Sequence, residues 1–262
     1  MPFLSETVRR RQPIRREISV EETHYLIPDK LKIIQNNKYF KFGTDSVLLA
    51  NYVKVKNKDK VIDLGSGSGV IPLLLAYKNN PEIVYGIELQ KPLAEMSKRS
   101  VKLNNLEDKI KIIEGDINQV MNHFEDNQFD TVVTNPPYRP TNTGKITQNK
   151  FKAIARHEIE IDIKAIIKKA ARLLKAGGSF YLVHLTKRLP QIISLLREKK
   201  IEPKEMRLIQ ARENKDPDRF ILKAVLDGNP GFKIKQNIIE FEGDTDQYTQ
   251  ELKKIYGEDS NE

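Results

Sequence analysis

From Lys60 onward the chain alternates short apolar runs with amphipathic stretches, and this alternation restricts the fold more than any other feature. Candidate strands fall at 61–64, 83–88, 110–113, 131–134 and 179–183. Between them, helical patterns fall near 69–78, 91–104, 117–125, 160–174 and 187–199. Strand alternating with helix predicts an α/β fold, a parallel sheet with helices on both faces. Pro190 falls in the first turn of its helix, where a missing N–H does little harm. After Pro203, residues 206–209 and 220–226 read as an antiparallel hairpin closing the sheet edge.

The flanks are less regular. Residues 1–20 are charged and aperiodic and read as a basic flexible arm. Over 21–58 the pattern suggests a hairpin and a helix: strands at 31–35 and 39–42 around Asn36-Asn37, then Thr44 capping a helix that buries Val47, Leu48 and Leu49. A main domain spans 59–228, and 229–262 is a polar extension with a short helical ending at 248–256. A chain of 262 residues suits one large domain with an appendage. No apolar run approaches the roughly 18 residues of a membrane span, and the N-terminus lacks a signal peptide's apolar core. The absence of cysteine excludes disulfides, thiolate zinc sites and a cysteine nucleophile, and agrees with a cytoplasmic setting. His24, His123, His157 and His184 show no metal-ligand spacing and read as surface or capping residues, so no metal is expected.

The first strand runs into Asp63-Leu64-Gly65-Ser66-Gly67-Ser68-Gly69 and then straight into an apolar helix. Gly65, Gly67 and Gly69 let the backbone turn sharply and approach a ligand that faces the helix N-terminus. The turn is shorter than the G-x-G-x-x-G fingerprint. Glu88 ends the second strand about twenty residues on, where an acid can accept from both ribose hydroxyls. Asp116 follows the third strand, placed to accept from an adenine amino group while Ile117 packs on the ring. Singly, either acid reads as a helix cap or a solvated charge rather than a ligand group. All of them lie at carboxyl ends of successive strands, where open α/β sheets bind ligands. Together they describe an adenosine-containing cofactor.

The fourth strand ends in Asn135-Pro136-Pro137-Tyr138. An exocyclic amino group or an amide nitrogen is a poor nucleophile, because its lone pair is delocalised into a π system. The Asn135 side-chain oxygen and the Pro136 carbonyl can both accept hydrogen bonds from such a group. The Pro136-Pro137 backbone holds the two acceptors, and Tyr138 offers a flat face for stacking. Strand-Pro-Pro turns also occur as plain punctuation, but beside the glycine turn this one reads as a site for alkylating a planar nitrogen.

A formal net charge of +9 points to an anionic partner. The arm carries Arg9, Arg10, Arg11, Arg15 and Arg16 against Glu6 and Glu17. Residues 139–156 carry Arg139, Lys145, Lys150, Lys152 and Arg156 with no acid. Cations one residue past the tetrapeptide would hold a phosphate backbone beside the reacting base.

The glycine turn followed by Asn135-Pro136-Pro137-Tyr138 resembles the class I S-adenosylmethionine-dependent methyltransferases of the amino-group type, over roughly residues 31–226. The segments 40–50 and 155–158, and the tail at 246–251 and 255–256, are similar more narrowly to the bacterial tRNA(Val) adenine-37 N6-methyltransferase group. The resemblance implies a Rossmann-like fold with a seven-stranded sheet, S-adenosyl-L-methionine as cofactor, and methyl transfer to adenine N6 in RNA, most naturally tRNA. It places Asp45 near the pocket in a cofactor or structural role, with helix capping as the alternative. The arginine-rich arm departs from the group. Other readings are a protein glutamine N5-methyltransferase, an rRNA or DNA adenine methyltransferase, and a non-catalytic RNA-binding module. Glutamine enzymes of this type typically carry a sizeable helical domain ahead of the cofactor domain, whereas only about sixty residues precede the glycine turn here.

Overall fold

Side chains on a strand point alternately to opposite faces, and here that period sorts the apolar residues into two cores. The computed structural model describes residues 21–37, 39, 42–138 and 163–258. Its strands are β1 (Glu21–Ile27), β2 (Leu31–Asn36), β3 (Lys60–Leu64), β4 (Ile83–Glu88), β5 (Ile110–Glu114), β6 (Phe129–Thr134), β7 (Leu174–Leu185), β8 (Ile201–Gln210), β9 (Arg219–Leu226), β10 (Lys233–Ile234) and β11 (Ile238–Ile239). Its helices are α1 (Thr44–Tyr52), α2 (Val70–Lys78), α3 (Lys91–Leu103), α4 (Ile163–Leu173), α5 (Leu189–Glu198) and α6 (Gln250–Tyr256).

The main sheet runs β8-β9-β7-β6-β3-β4-β5. Strands β3 to β7 are mutually parallel, and β9 runs antiparallel to both β7 and β8. These seven strands are mostly parallel, as expected, but the described sheet holds nine, because β10 and β11 add to β8. Val61, Val84, Val133, Tyr181 and Val183 face one core with α1 and α2, and Ile62, Leu64, Val132, Phe180 and Leu182 face the other with α4 and α5. Helix α4 shows why: Ile163, Ile166, Ile167, Ala170 and Leu173 recur at helical spacing and are all buried. Truncating Ile167 to Ala would cost about 2–5 kcal/mol.

Four expectations are corrected. The hairpin pairs β2 with the preceding β1, and of the strand expected at 39–42, residues 40 and 41 lie outside the described residues. The hairpin turn places Asp29 at φ 55°, a left-handed position that Asp tolerates; Tyr39 N–H instead closes a turn on the Asn36 carbonyl. Helix α1 is capped by Gly43, not Thr44, with no side-chain bond. The segment after β5 is a 3₁₀ turn over Ile117–Asn122 rather than an α-helix. The β8–β9 hairpin is not the outermost element, because β10 and β11 from the polar extension pair in parallel with β8.

The hairpin docks on α3 through side chains. Asn104 accepts from Lys32 N–H and donates to the Lys32 carbonyl, Ser100 Oγ accepts from Ile34 N–H, and Arg99 grips Glu21. These bonds occupy backbone groups that a bare sheet edge would leave open.

Candidate active site

Beginning at β3, the chain fills β4 and β5 on one side and β6 and β7 on the other, so the strand order reverses between β3 and β6. Open α/β sheets bind ligands at such a switch point. Asp63 pairs with Val133 across it, so Gly65 and Asn135 leave the sheet side by side, each two residues later. Thr134 Oγ1 donates to the Leu64 carbonyl at 2.8 Å, tying the two exits together.

On the β3 side, Gly65, Gly67 and Gly69 have φ of 84°, 56° and 88°, a left-handed region that favours glycine. A Cβ at Gly67 would meet nothing within 4 Å, whereas one at Gly69 would collide with the Ser97 hydroxyl. Gly69 starts α2 with no side-chain cap, leaving first-turn N–H groups available to a ligand. Glu88 accepts from Gly67 N–H at 2.8 Å and from Gln90 N–H at 2.9 Å. It therefore braces the turn while keeping a lone pair on each oxygen. Burial pushes its pKa up, against the pull of those backbone bonds.

Asp63 is fully buried, and neither carboxylate oxygen has a partner among the described residues. Burial, and after it the charge of Glu88, pushes its pKa well above the ordinary aspartate value. A buried acid without a donor is stable only when it holds its proton, which is the direction of this shift. The Ser66 and Ser97 hydroxyls also find no partner among the described residues. Asp116 caps the 3₁₀ turn through Oδ1, which accepts from Asn118 N–H at 2.8 Å; Ile117 beside it is buried.

On the β6 side, Asn135 donates from Nδ2 to Ser46 Oγ at 2.8 Å. Its side-chain oxygen and the Pro136 carbonyl receive no hydrogen bond among the described residues. Pro136 is buried and Pro137 exposed. Tyr138 donates to Asp45 Oδ2 at 2.7 Å, and its ring packs on His184 with centroids 5.2 Å apart. Burial, with the adjacent Asp45 charge second, raises the Tyr138 pKa, so the phenol stays protonated. His184 is corrected from a surface residue to a buried one. Burial first, then Arg188 and Lys187, push its pKa down to about 4, so it is neutral near pH 7.

The structure thus brings Asp63, Gly65, Gly67, Gly69 and Glu88 to one side of the switch point and Asn135, Pro136 and Tyr138 to the other. Asp45, the acid in the first turn of α1, holds Tyr138. The cations Arg9, Arg10, Arg11, Arg139, Lys145, Lys150, Lys152 and Arg156 lie outside the described residues. Sequence reasoning missed Ser46, His184, Arg219 and Glu240; no local pattern marks them. Among the described residues no group of His, Asp and Glu could hold a metal ion, and no helix is long and apolar enough to cross a membrane.

An acceptor pair for a planar amino group acquires chemical meaning beside an electrophile. With an adenosine-type cradle at the same switch point, the class follows: an S-adenosyl-L-methionine-dependent methyltransferase of Rossmann-like fold. The model of the methyltransferase small domain family matches residues 38–199, more than half of the chain, and the chain belongs to that family. It is 28% identical over 164 residues to the tRNA1(Val) (adenine(37)-N6)-methyltransferase of Tolumonas auensis, covering 62% of this chain and 67% of that one. The same-named protein of Aeromonas salmonicida is 27% identical, with 70% and 75% covered. That of Yersinia enterocolitica is 31% identical, but the match spans only 56% of its length.

Among solved structures, one described as a predicted O-methyltransferase from Agrobacterium tumefaciens superposes with a TM-score of 0.65 at 21% identity, covering 81% of this chain and 95% of that one. The tRNA m1G37 methyltransferase of M. jannaschii gives 0.53 at 23% identity, covering 80% and 55%. These likenesses concern the fold. The residues present fit S-adenosyl-L-methionine: Glu88, with one backbone bond on each oxygen, keeps a lone pair on each that would accept from a ribose.

Proposed function

We propose that this protein methylates the exocyclic N6 of an adenine in RNA, a tRNA of the position-37 type, in the cytoplasm. The observation that carries the reading is the Asn135 amide, whose nitrogen is engaged by Ser46 at 2.8 Å so that its oxygen is the end left to accept. The names of the relatives support the adenine and tRNA parts, and so does the acid-free basic stretch at 139–156.

Asp63, Gly65, Gly67, Gly69, Glu88, Asp116 and Ile117 would hold the cofactor, with Asp45 and Asn135 bordering it. When bound, it supplies an electrophilic methyl group on a sulfonium. The Asn135 side-chain oxygen and the Pro136 carbonyl would accept hydrogen bonds from the two N6–H groups, drawing the nitrogen lone pair out of conjugation. Pro137 stiffens that carbonyl's placement. Tyr138 stacks on the flipped base, an interaction of about 1–3 kcal/mol. Its own proton is committed to Asp45, so Tyr138 is not the base; the amino nitrogen loses its extra proton to solvent. Positioning and electrostatics provide the acceleration.

Radiolabelled methyl transfer to total tRNA, total rRNA, DNA and a release-factor-like protein tests this. Label in tRNA as N6-methyladenosine is the expected result, and label confined to protein would refute it. Asn135→Ala should lower kcat by about 10²–10³-fold while cofactor binding survives.

A further inference from the structure

Arg219, at the start of β9, has a side chain only 15% exposed and lies among three carboxylates. Its Nη1 meets Asp45 Oδ1 at 2.5 Å, its Nη2 meets Glu240 Oε2 at 2.5 Å, and its Nε meets Asp218 Oδ1 at 3.0 Å. A second bond from Nη1 to Glu240 Oε1 at 3.3 Å makes the Glu240 pairing bidentate. Burial opposes the Arg219 charge, but the bonds to Glu240 and Asp218 and the charge of Asp45 outweigh it and raise the pKa. Because one guanidinium serves three acids, it cannot leave without stranding buried negative charge.

This series of bonds ends on Tyr138. Asp45 gives one oxygen to Arg219 and the other to the Tyr138 hydroxyl. Without Arg219, a carboxylate 16% exposed would have a single partner and a free torsion. Glu240 is fixed in turn: its N–H donates to the Gln210 carbonyl at 3.1 Å, and its carbonyl accepts from Thr249 N–H at 3.0 Å. Both Arg219 and Glu240 lie beyond the residues that the family model matches.

We propose that Arg219 and Glu240 are positioning residues: by locking Asp45 they fix the Tyr138 hydroxyl, and with it the ring against which a planar substrate group lies. This rests on reading residues 135–138 as the reacting site. The polar C-terminal extension is then part of the active-site architecture, because it delivers Glu240.

The test uses Glu240→Gln in the full chain, with Tyr138→Phe and the double variant. Carbon-13 tyrosine labelling gives the Tyr138 ring resonance, assigned by its disappearance in Tyr138→Phe. Glu240→Gln should shift that resonance, leave S-adenosylhomocysteine affinity unchanged and lower kcat about tenfold. In the Tyr138→Phe background it should lower kcat no further. Arg219→Lys, which keeps the charge but lacks the fork, gives the same readouts if Glu240→Gln does not fold. An unmoved Tyr138 resonance, or an equal fall in kcat in both backgrounds, would overturn the proposal. Kinetics are measured on whichever of RNA, DNA or protein accepts the methyl group. Failure of RNA alone therefore refutes the substrate reading, while the resonance still decides this one.

Discussion

Ser46 Oγ accepts from Asn135 Nδ2 at 2.8 Å, joining the first turn of α1 to the end of β6. The bond decides which end of the carboxamide the pocket sees. An amide can present either a donor or an acceptor, and only the acceptor end can bind an amino group.

Ser46→Ala should therefore free the Asn135 amide to rotate. Removing one such bond costs about 1 kcal/mol, roughly fivefold in kcat. Cofactor affinity should be unchanged, and Ser46→Thr should restore the rate. Steady-state methyl transfer with calorimetric cofactor titration checks this.

Asp63 makes stability depend on pH. Its folded-state pKa is raised above the ordinary 3.8, so its contribution is fully present below that value and is lost as pH rises through the folded-state pKa. The share of stability that Asp63 gives the ligand-free protein should thus fall as pH rises above about 4. Asp63→Asn should flatten that decline and raise the melting temperature near neutrality, while weakening cofactor binding. Thermal unfolding across pH, with and without S-adenosylhomocysteine, measures both effects.

Gly69 combines a φ of 88° with a Cβ position already taken by the Ser97 hydroxyl. Gly69→Ala should destabilise the fold by about 1–3 kcal/mol in denaturant unfolding. Ser97→Gly should relieve the collision but not the backbone strain, so rescue should be partial.

Lys145, Lys150 and Lys152 carry the prediction for RNA. Replacing all three with Ala should weaken tRNA binding and reduce the slope of log K against log salt by about one for each phosphate no longer neutralised. An unchanged slope in filter binding would remove this stretch from the interface.

The sheet and its helices were legible from pattern: β4 at Ile83–Glu88 and α2 at Val70–Lys78 fall where their apolar spacing predicts. The glycine turn was legible because its residue type answers a local backbone demand. Less legible was the hairpin. Its β1 strand, Glu21–Ile27, opens on charged and polar residues that share no apolar rhythm with β2, and it is held to α3 by Arg99. The 3₁₀ turn at Ile117–Asn122 imitates a helical pattern over too few residues to distinguish the two.

Periodicity, glycine placement and the 135–138 tetrapeptide are local properties, so the layered α/β architecture could be read from pattern, and the candidate site residues could be named from it. Strand order, the switch point and the distant side chains that brace the site emerge from packing alone. Asp45, Tyr138, Arg219 and Glu240 come from four separate segments and meet only when α1, β6, β9 and the C-terminal extension pack around one buried guanidinium. In a chain with 31% charged residues, a single Arg or Glu carries no local sign that it will be buried. Burial and pairing are properties of the fold, and they turn Tyr138 from an exposed aromatic at a strand end into a fixed one.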